Sequence, residues 1–273
     1  MRIDIHAHAF ADAIAERAMT ALRATMPPDY SCADGRLGTL LSELEAFGFD
    51  AAVICSIATK PTQFDVIMKW SDAIRQGALG EAAARRIIPF LSVHPRDPDR
   101  FRHVEETARA GFKGLKIHPY YQECPLDAPE MIELLRCARQ NELVVMSHVG
   151  YDIAFPRDRL CDPARVLRVL DAVPGLKLIA SHFGGWTDWD EAERLLVGQP
   201  VDLDISMTRG HLDPVRMRAM LLRHPLEHLH FGSDWPWSSH AGDLALIESF
   251  DLPPARLAAL MGDNSARLLG LDG

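Results

Sequence analysis

At 273 residues, with 48% hydrophobic and 25% charged side chains and no low-complexity tract, the chain can fill one large core, which sets disorder aside. A formal net charge of -9 argues against a nucleic-acid partner, because phosphates need a basic surface. No apolar run approaches the roughly 20 residues of a membrane span, Met1 to His6 lack the pattern of a secretion signal, and five cysteines without a C-x-x-C pair suit a reduced compartment, so a cytoplasmic protein is expected.

The first β-rich run is 2–6 (RIDIH), leading into His6-Ala-His8. Strict alternation predicts that Asp4, His6 and His8 share one face and that Ile3 and Ile5 share the other. In a barrel the isoleucines would then pack on helices and the imidazoles would aim at the mouth. The stretch 26–38 (MPPDYSCADGRLG) reads as a loop insertion over this strand. Further β-rich runs follow at 51–56, 87–93, 114–118, 143–147, 176–181, 201–206 and 228–233. Helical spacing separates them: in 130–140, Met131, Leu134, Leu135 and Ala138 repeat at i, i+3, i+4, i+7. In 162–173, Asp162 before Pro163 reads as an N-cap with proline at the first helical position. A closing helix is expected over 254–269.

Strand–helix alternation repeated eight times implies parallel strands with right-handed crossovers. An open doubly wound sheet shares that local pattern. The count of eight, the polar residues at the strand ends and a length near the ~250 residues of a single (β/α)8 barrel favour closure. No linker suggests a second domain, so 1–273 is expected to form one α/β (β/α)8 barrel.

Barrel enzymes place their chemistry at the C-terminal ends of the strands. Strand five runs into His148, strand six into His182 and strand eight into Asp234, each just before a loop rich in glycine or proline. Any one such histidine is ordinarily a hydrogen-bonded strand-end residue. Five polar residues on strands one, five, six and eight fit that reading poorly, and imidazole nitrogen with carboxylate oxygen is a donor set that zinc and its neighbours accept. Lys116 and His118 alternate onto one face, either as a buried ion pair and a loop hydrogen bond or as substrate contacts. Trp186, Trp235 and Trp237 lie in the loops after strands six and eight, where Trp235 is expected to wall a pocket. Arg157, Arg159 and Arg209 near the same mouth either bind a substrate carboxylate or are solvated. His94 reads as structural and His230 as packed within strand eight, while His103, His211, His224, His228 and His240 are expected at the surface. No G-x-S-x-G, Walker A or G-x-G-x-x-G motif is present.

HAH after Ile-Asp-Ile, GLKIHP, SHVG, SHFGG, GSDWP and the ending DNSARLLG (263–270) together resemble the amidohydrolase superfamily. More narrowly they resemble the amidohydrolase-related group that includes aminocarboxymuconate-semialdehyde decarboxylase. That resemblance implies a TIM barrel with one divalent metal on His6, His8, His148 and Asp234, and His182 beside the activated water. Zn2+ is the first choice, with Mn2+ or Fe2+ permitted by the same ligands. Binuclear branches carry a carboxylated lysine or a glutamate on strand four. Here that place holds Lys116, read as an ordinary ammonium paired with an acid such as Asp4 or with a substrate carboxylate. The implied chemistry is hydrolysis of an amide, ester or lactone of a small, carboxylate-bearing substrate, with Asp234 and His182 as the catalytic pair and Lys116, His118 and Trp235 binding the substrate. The alternative is non-oxidative decarboxylation of an unsaturated or aromatic acid. A third reading is a metal-binding barrel without catalysis. Oligomeric state is not legible.

Overall fold

Each β-rich run becomes a strand because branched and aliphatic residues pack on both faces of a parallel sheet. In the computed structural model, which describes residues 1–27 and 30–271, these are β1 (Ile3–Ala7), β2 (Ala51–Cys55), β3 (Ile87–Phe90), β4 (Gly114–Ile117), β5 (Val144–Ser147), β6 (Leu178–Ala180), β7 (Asp202–Asp204) and β8 (Leu229–His230). Neighbours pair in parallel in the orders β1-β2-β3 and β4-β5-β6-β7-β8. Two seams complete the ring. Leu91 N donates to Gly114 O at 3.1 Å and Lys116 N to Leu91 O at 2.7 Å, while Ile5 N donates to Phe231 O at 2.9 Å and Asp234 N to His6 O at 2.7 Å. The sheet is therefore a closed (β/α)8 barrel.

The helices are α1 (Asp12–Arg23), α2 (Leu37–Ala46), α3 (Phe64–Arg75), α4 (Glu81–Arg86), α5 (Arg100–Arg109), α6 (Pro129–Gln140), α7 (Pro163–Ala172), α8 (Trp189–Leu195), α9 (Pro214–Arg223), α10 (His240–Glu248), α11 (Pro254–Ala258) and α12 (Asn264–Leu269). The predicted stripe of α6 is buried, and α7 starts as predicted, with the Asp162 side chain accepting from Arg165 N at 3.0 Å and Pro163 opening the helix. Such a cap contributes about 1 kcal/mol. No helix among the described residues is long and apolar enough to cross a membrane. Of the loop expected at 26–38, residues 28 and 29 lie outside the described residues. The rest docks on the loop after β8, with Ala33 N donating to Pro236 O at 3.0 Å and Tyr30 Oη to Trp237 O at 2.9 Å.

The strict alternation expected in β1 does not hold. Asp4 aligns with Ala52 but Ala7 aligns with Ile54, so β1 advances three residues where β2 advances two. This bulge resets the faces. Ile5 points into the barrel and packs with Val53, Phe90, Val144, Met146 and Ile179, and does not face the helices. Asp4 points outward, away from Lys116 and the His6 ring, though His6 N donates to its Oδ1 at 3.1 Å. Its Oδ1 accepts from Ser233 N at 3.0 Å and its Oδ2 faces His240 Nε2 at 2.9 Å. The bulge still leaves His6 buried at the barrel mouth, so the two imidazoles reach it by a different route from the one alternation implies.

His103, His224 and His240, expected at the surface, are buried. Each is held by its partners: His103 by Asp97, six residues before it, and a stacked Phe64, His224 by Val201 O, and His240 by Asp4. His230 is buried within β8 as expected, between Asp202 and Ser265.

Candidate metal centre

The C-terminal mouth of the barrel gathers His6 at the end of β1 and His8 just after it, Lys116 from β4 and His118 just after it, His148 after β5, His182 after β6 and Asp234 after β8. The loops that carry His182 and Asp234 turn through left-handed backbone, with φ 61° and 60°, a conformation non-glycine residues adopt mainly where surrounding structure enforces it. Gly232 is needed here for a steric reason: a Cβ on it would lie 2.9 Å from His6 Cβ.

Hydrogen bonding fixes the tautomers of the two β1 histidines. His8 Nδ1 lies 2.7 Å from Cys55 O, a pure acceptor, so Nδ1 carries the proton and Nε2 the lone pair. His6 Nδ1 faces Asp204 Oδ2 at 3.1 Å, which leaves the lone pair on Nε2, where Lys116 Nζ stands 2.7 Å away. Both lone pairs converge on one carboxylate oxygen: Asp234 Oδ1 stands 3.2 Å from His6 Nε2 and 3.0 Å from His8 Nε2. Burial lowers the His8 pKa, which favours the neutral ring. Burial would raise Asp234, and the His6 and His8 rings, when protonated, outweigh it and hold its carboxyl well below the usual range. Asp234 Oδ1 is buried and has no hydrogen-bond donor.

An acceptor oxygen against a neutral imidazole lone pair is an arrangement that lacks a positive partner. Ligand atoms each about 2.0–2.2 Å from one tetrahedral ion stand about 3.3–3.6 Å apart, close to the separations here. Two nitrogens and a carboxylate oxygen therefore fit a divalent cation in both chemistry and spacing. Lys116, buried at 1% exposure, donates from Nζ to His6 Nε2 at 2.7 Å and supplies the nearest fixed positive charge.

His148, the fourth expected ligand, does not join that trio. Its Nε2 faces Tyr151 O at 2.9 Å and its Nδ1 faces His182 Nε2 at 2.9 Å. Burial, with His118 adding to it, pushes the His148 pKa down to about 3, and burial with His148 pushes His182 well below its ordinary value. His118 stacks on His148 with ring centroids 4.3 Å apart, and its Nε2 lies 3.4 Å from Asp152 Oδ2.

Asp204 and Ser206, on and after β7, were not singled out from sequence. Asp204 is fully buried, orients His6 through Nδ1, and accepts from His182 N at 3.2 Å and from Ser206 N at 2.9 Å. Ser206 Oγ donates to Asp204 and accepts from His182 Nδ1 at 2.9 Å. The only signal in the sequence is an acid at the C-terminal end of a short strand, which does not reveal that it stands behind His6. A carboxylate behind a ligating imidazole fixes its tautomer and raises its basicity. Asp204→Asn is expected to weaken metal binding about 10–100-fold while the barrel stays folded. Competition against a chelator measures this, and unaltered affinity removes Asp204 from the positioning role.

A cavity of about 440 Å³ opens above these residues, with Lys116, His118, Tyr121, Trp186 and Trp237 in its wall. Trp235, expected there, is instead 1% exposed and packed in the core, because the turn after Asp234 sends it inward and Trp237 outward to the cavity. None of the three expected arginines is among the described lining residues. Arg159 pairs with Asp188 at 3.1 Å, Arg209 with Asp243 at 2.9 Å, and Arg157 lies 4.1 Å over the Tyr151 ring.

A family model described as amidohydrolase matches residues 3–271. No curated protein matches. Among solved structures, 5-carboxyvanillate decarboxylase from Sphingomonas paucimobilis is similar at TM-score 0.72 and 16% identity, with 98% of each chain covered. A dihydroxybenzoic acid decarboxylase from Polaromonas, with bound manganese and the inhibitor 2-nitroresorcinol, gives TM-score 0.72 and 13% identity over 100% of this chain and 97% of that one. A probable 2-pyrone-4,6-dicarboxylic acid hydrolase from Acinetobacter baumannii, with citric acid bound, gives 0.64 and 16% over 98% and 99%. At these identities the likeness shows the shared barrel fold.

Proposed function

The chain belongs to the amidohydrolase family, and from that premise we propose that it is a metal-dependent hydrolase of a small amide, ester or lactone. The observation that carries this reading is Asp234 Oδ1, buried without a donor among the described residues and set against the Nε2 atoms of His6 and His8. One divalent ion would be held by His6, His8 and Asp234, with His148 turning from His182 to complete the set. Zn2+ is the first choice, and Mn2+ or Fe2+ suits the same donors. When bound, such an ion supplies Lewis acidity, bringing the pKa of water from about 15.7 to about 7 and polarising an oxygen of the substrate.

The residues of the chain do the rest. Asp234, as a carboxylate, takes the proton from the attacking water and returns it to the leaving nitrogen or oxygen. His182, fixed through Nδ1 by Ser206, presents Nε2 to the reacting groups and steadies the charge that develops on oxygen. Lys116 stays uncarbamylated, its Nζ beside His6 and available to a substrate carboxylate once an ion takes the His6 Nε2 lone pair, and the site is mononuclear. His118, backed by Asp152, contacts the substrate.

Decarboxylation of an aromatic or unsaturated acid is the second reading, favoured by the structural likeness to two aromatic-acid decarboxylases. In that case Lys116 holds the substrate carboxylate that leaves as carbon dioxide, and Asp234, first protonated from solvent, passes that proton to the carbon left behind and returns to a carboxylate. Metal-loaded and chelator-stripped protein, assayed on amides, esters, lactones and aromatic acids, tests these readings together. Metal-dependent release of acid supports the hydrolase. Release of carbon dioxide moves the protein to the decarboxylases, and no turnover with metal bound favours a barrel that only binds.

A further inference from the structure

The cavity above the metal centre is apolar over most of its depth. On α1, Ile14, Ala18 and Leu22 repeat every four residues and line it, flanked by Phe10 and Met26 at the same spacing. This stripe is distinct from the one α1 buries in the protein, Ala15 and Met19. Facing it, Val66, Ile67 and Trp70 of α3 line the cavity, while Phe64 and Ile74 of the same helix are buried. Two helices thus each spend a second apolar stripe on the cavity. Ile14 is 42% exposed and Val66 63% exposed, costly positions for aliphatic side chains unless something covers them.

Charge is confined to the opposite end. Lys116 is the one lysine or arginine among the described lining residues, and it lies at the floor beside His6. The lining acids, Asp152 and Asp234, also belong to that end. A second carboxylate on a substrate, placed between α1 and α3, would lose its water against Ile14, Leu22, Val66 and Trp70 and find no cation.

We infer that the substrate is amphipathic: a single polar reacting head at the metal centre and an uncharged hydrocarbon body running out between α1 and α3. This rests on the hydrolytic site proposed above, and it narrows the expected carboxylate-bearing substrate to one whose only carboxylate, if present, lies at Lys116. It sets the chain apart from a dicarboxylate enzyme.

Binding can be measured apart from turnover, by calorimetry with the straight-chain monocarboxylates from acetate to decanoate and with the α,ω-dicarboxylates of equal length. The series is run on both metal-loaded and metal-free protein. Each added methylene is expected to tighten binding about threefold to fourfold until the cavity is filled, in both metal states. Hexanedioate and octanedioate are expected to bind at least about tenfold more weakly than hexanoate and octanoate. Ile14→Asp and Leu22→Asp should each flatten the chain-length gain and remove that preference. An affinity independent of chain length, or dicarboxylates binding as well as monocarboxylates, overturns the inference even if the enzyme turns over. The chain-length gain without turnover of any ester, amide, lactone or acid sustains the inference and sinks the hydrolytic reading.

Discussion

Asp234→Asn, assayed with metal saturating, is expected to lower kcat by at least about 10²-fold, the range that loss of a general base costs. The amide keeps the size of the side chain and an oxygen directed at the His6 and His8 lone pairs, so the site keeps its shape. It cannot take up a proton at neutral pH, and it removes the negative charge on which both imidazoles converge at 3.0 and 3.2 Å. Metal content of the variant, measured on the same sample, separates loss of the ion from loss of the proton acceptor. His182→Asn is the companion: its Nε2 stands against His148, outside the His6–His8–Asp234 trio, so turnover falls while that trio keeps its ion. A near-normal kcat in metal-loaded Asp234→Asn would show that the proton goes elsewhere.

The architecture was legible because eight buried strands interrupt the polar pattern, and the ends of β1, β4, β5, β6 and β8 carry polar groups next to turns. What alternation could not supply was the β1 bulge. One inserted residue leaves the local composition unchanged, and only pairing with β2 reveals that Asp4 faces His240 and not Lys116. His103, His224 and His240 were read as exposed because their partners, Asp97, Val201 and Asp4, are set by tertiary packing that periodicity does not encode.

Within the site, the groups that present ligands were readable from position, whereas those that set their protonation were not. His6 and His8 announce themselves by spacing. The roles of Asp204, Ser206 and the Cys55 carbonyl emerge only when β7 and β2 are seen to stand behind those rings. Trp235 and Trp237 show the same limit, since one turn sends the first into the core and the second to the cavity. The apolar stripe of α1 was in the sequence throughout, at every fourth residue, but nothing local distinguishes a stripe that packs on a barrel from one that walls a cavity.

The central claim is that His6, His8 and Asp234 hold one divalent ion, and elemental analysis of His6→Ala/His8→Ala tests it most directly. Removing both imidazoles strips the centre of two nitrogen donors and leaves at most Asp234 and His148, too few ligands for a stable four-coordinate ion. His6 is fully buried and its loss also orphans Asp204, so far-ultraviolet circular dichroism must show an intact barrel. His8→Ala, at a partly exposed position, provides a milder variant that retains the Asp204 contact. After dialysis against a metal-free buffer, wild type is predicted to keep about one ion per chain, the double variant essentially none, and His8→Ala to bind much more weakly. A folded double variant that retains its full complement of metal would place the ion elsewhere and contradict the account.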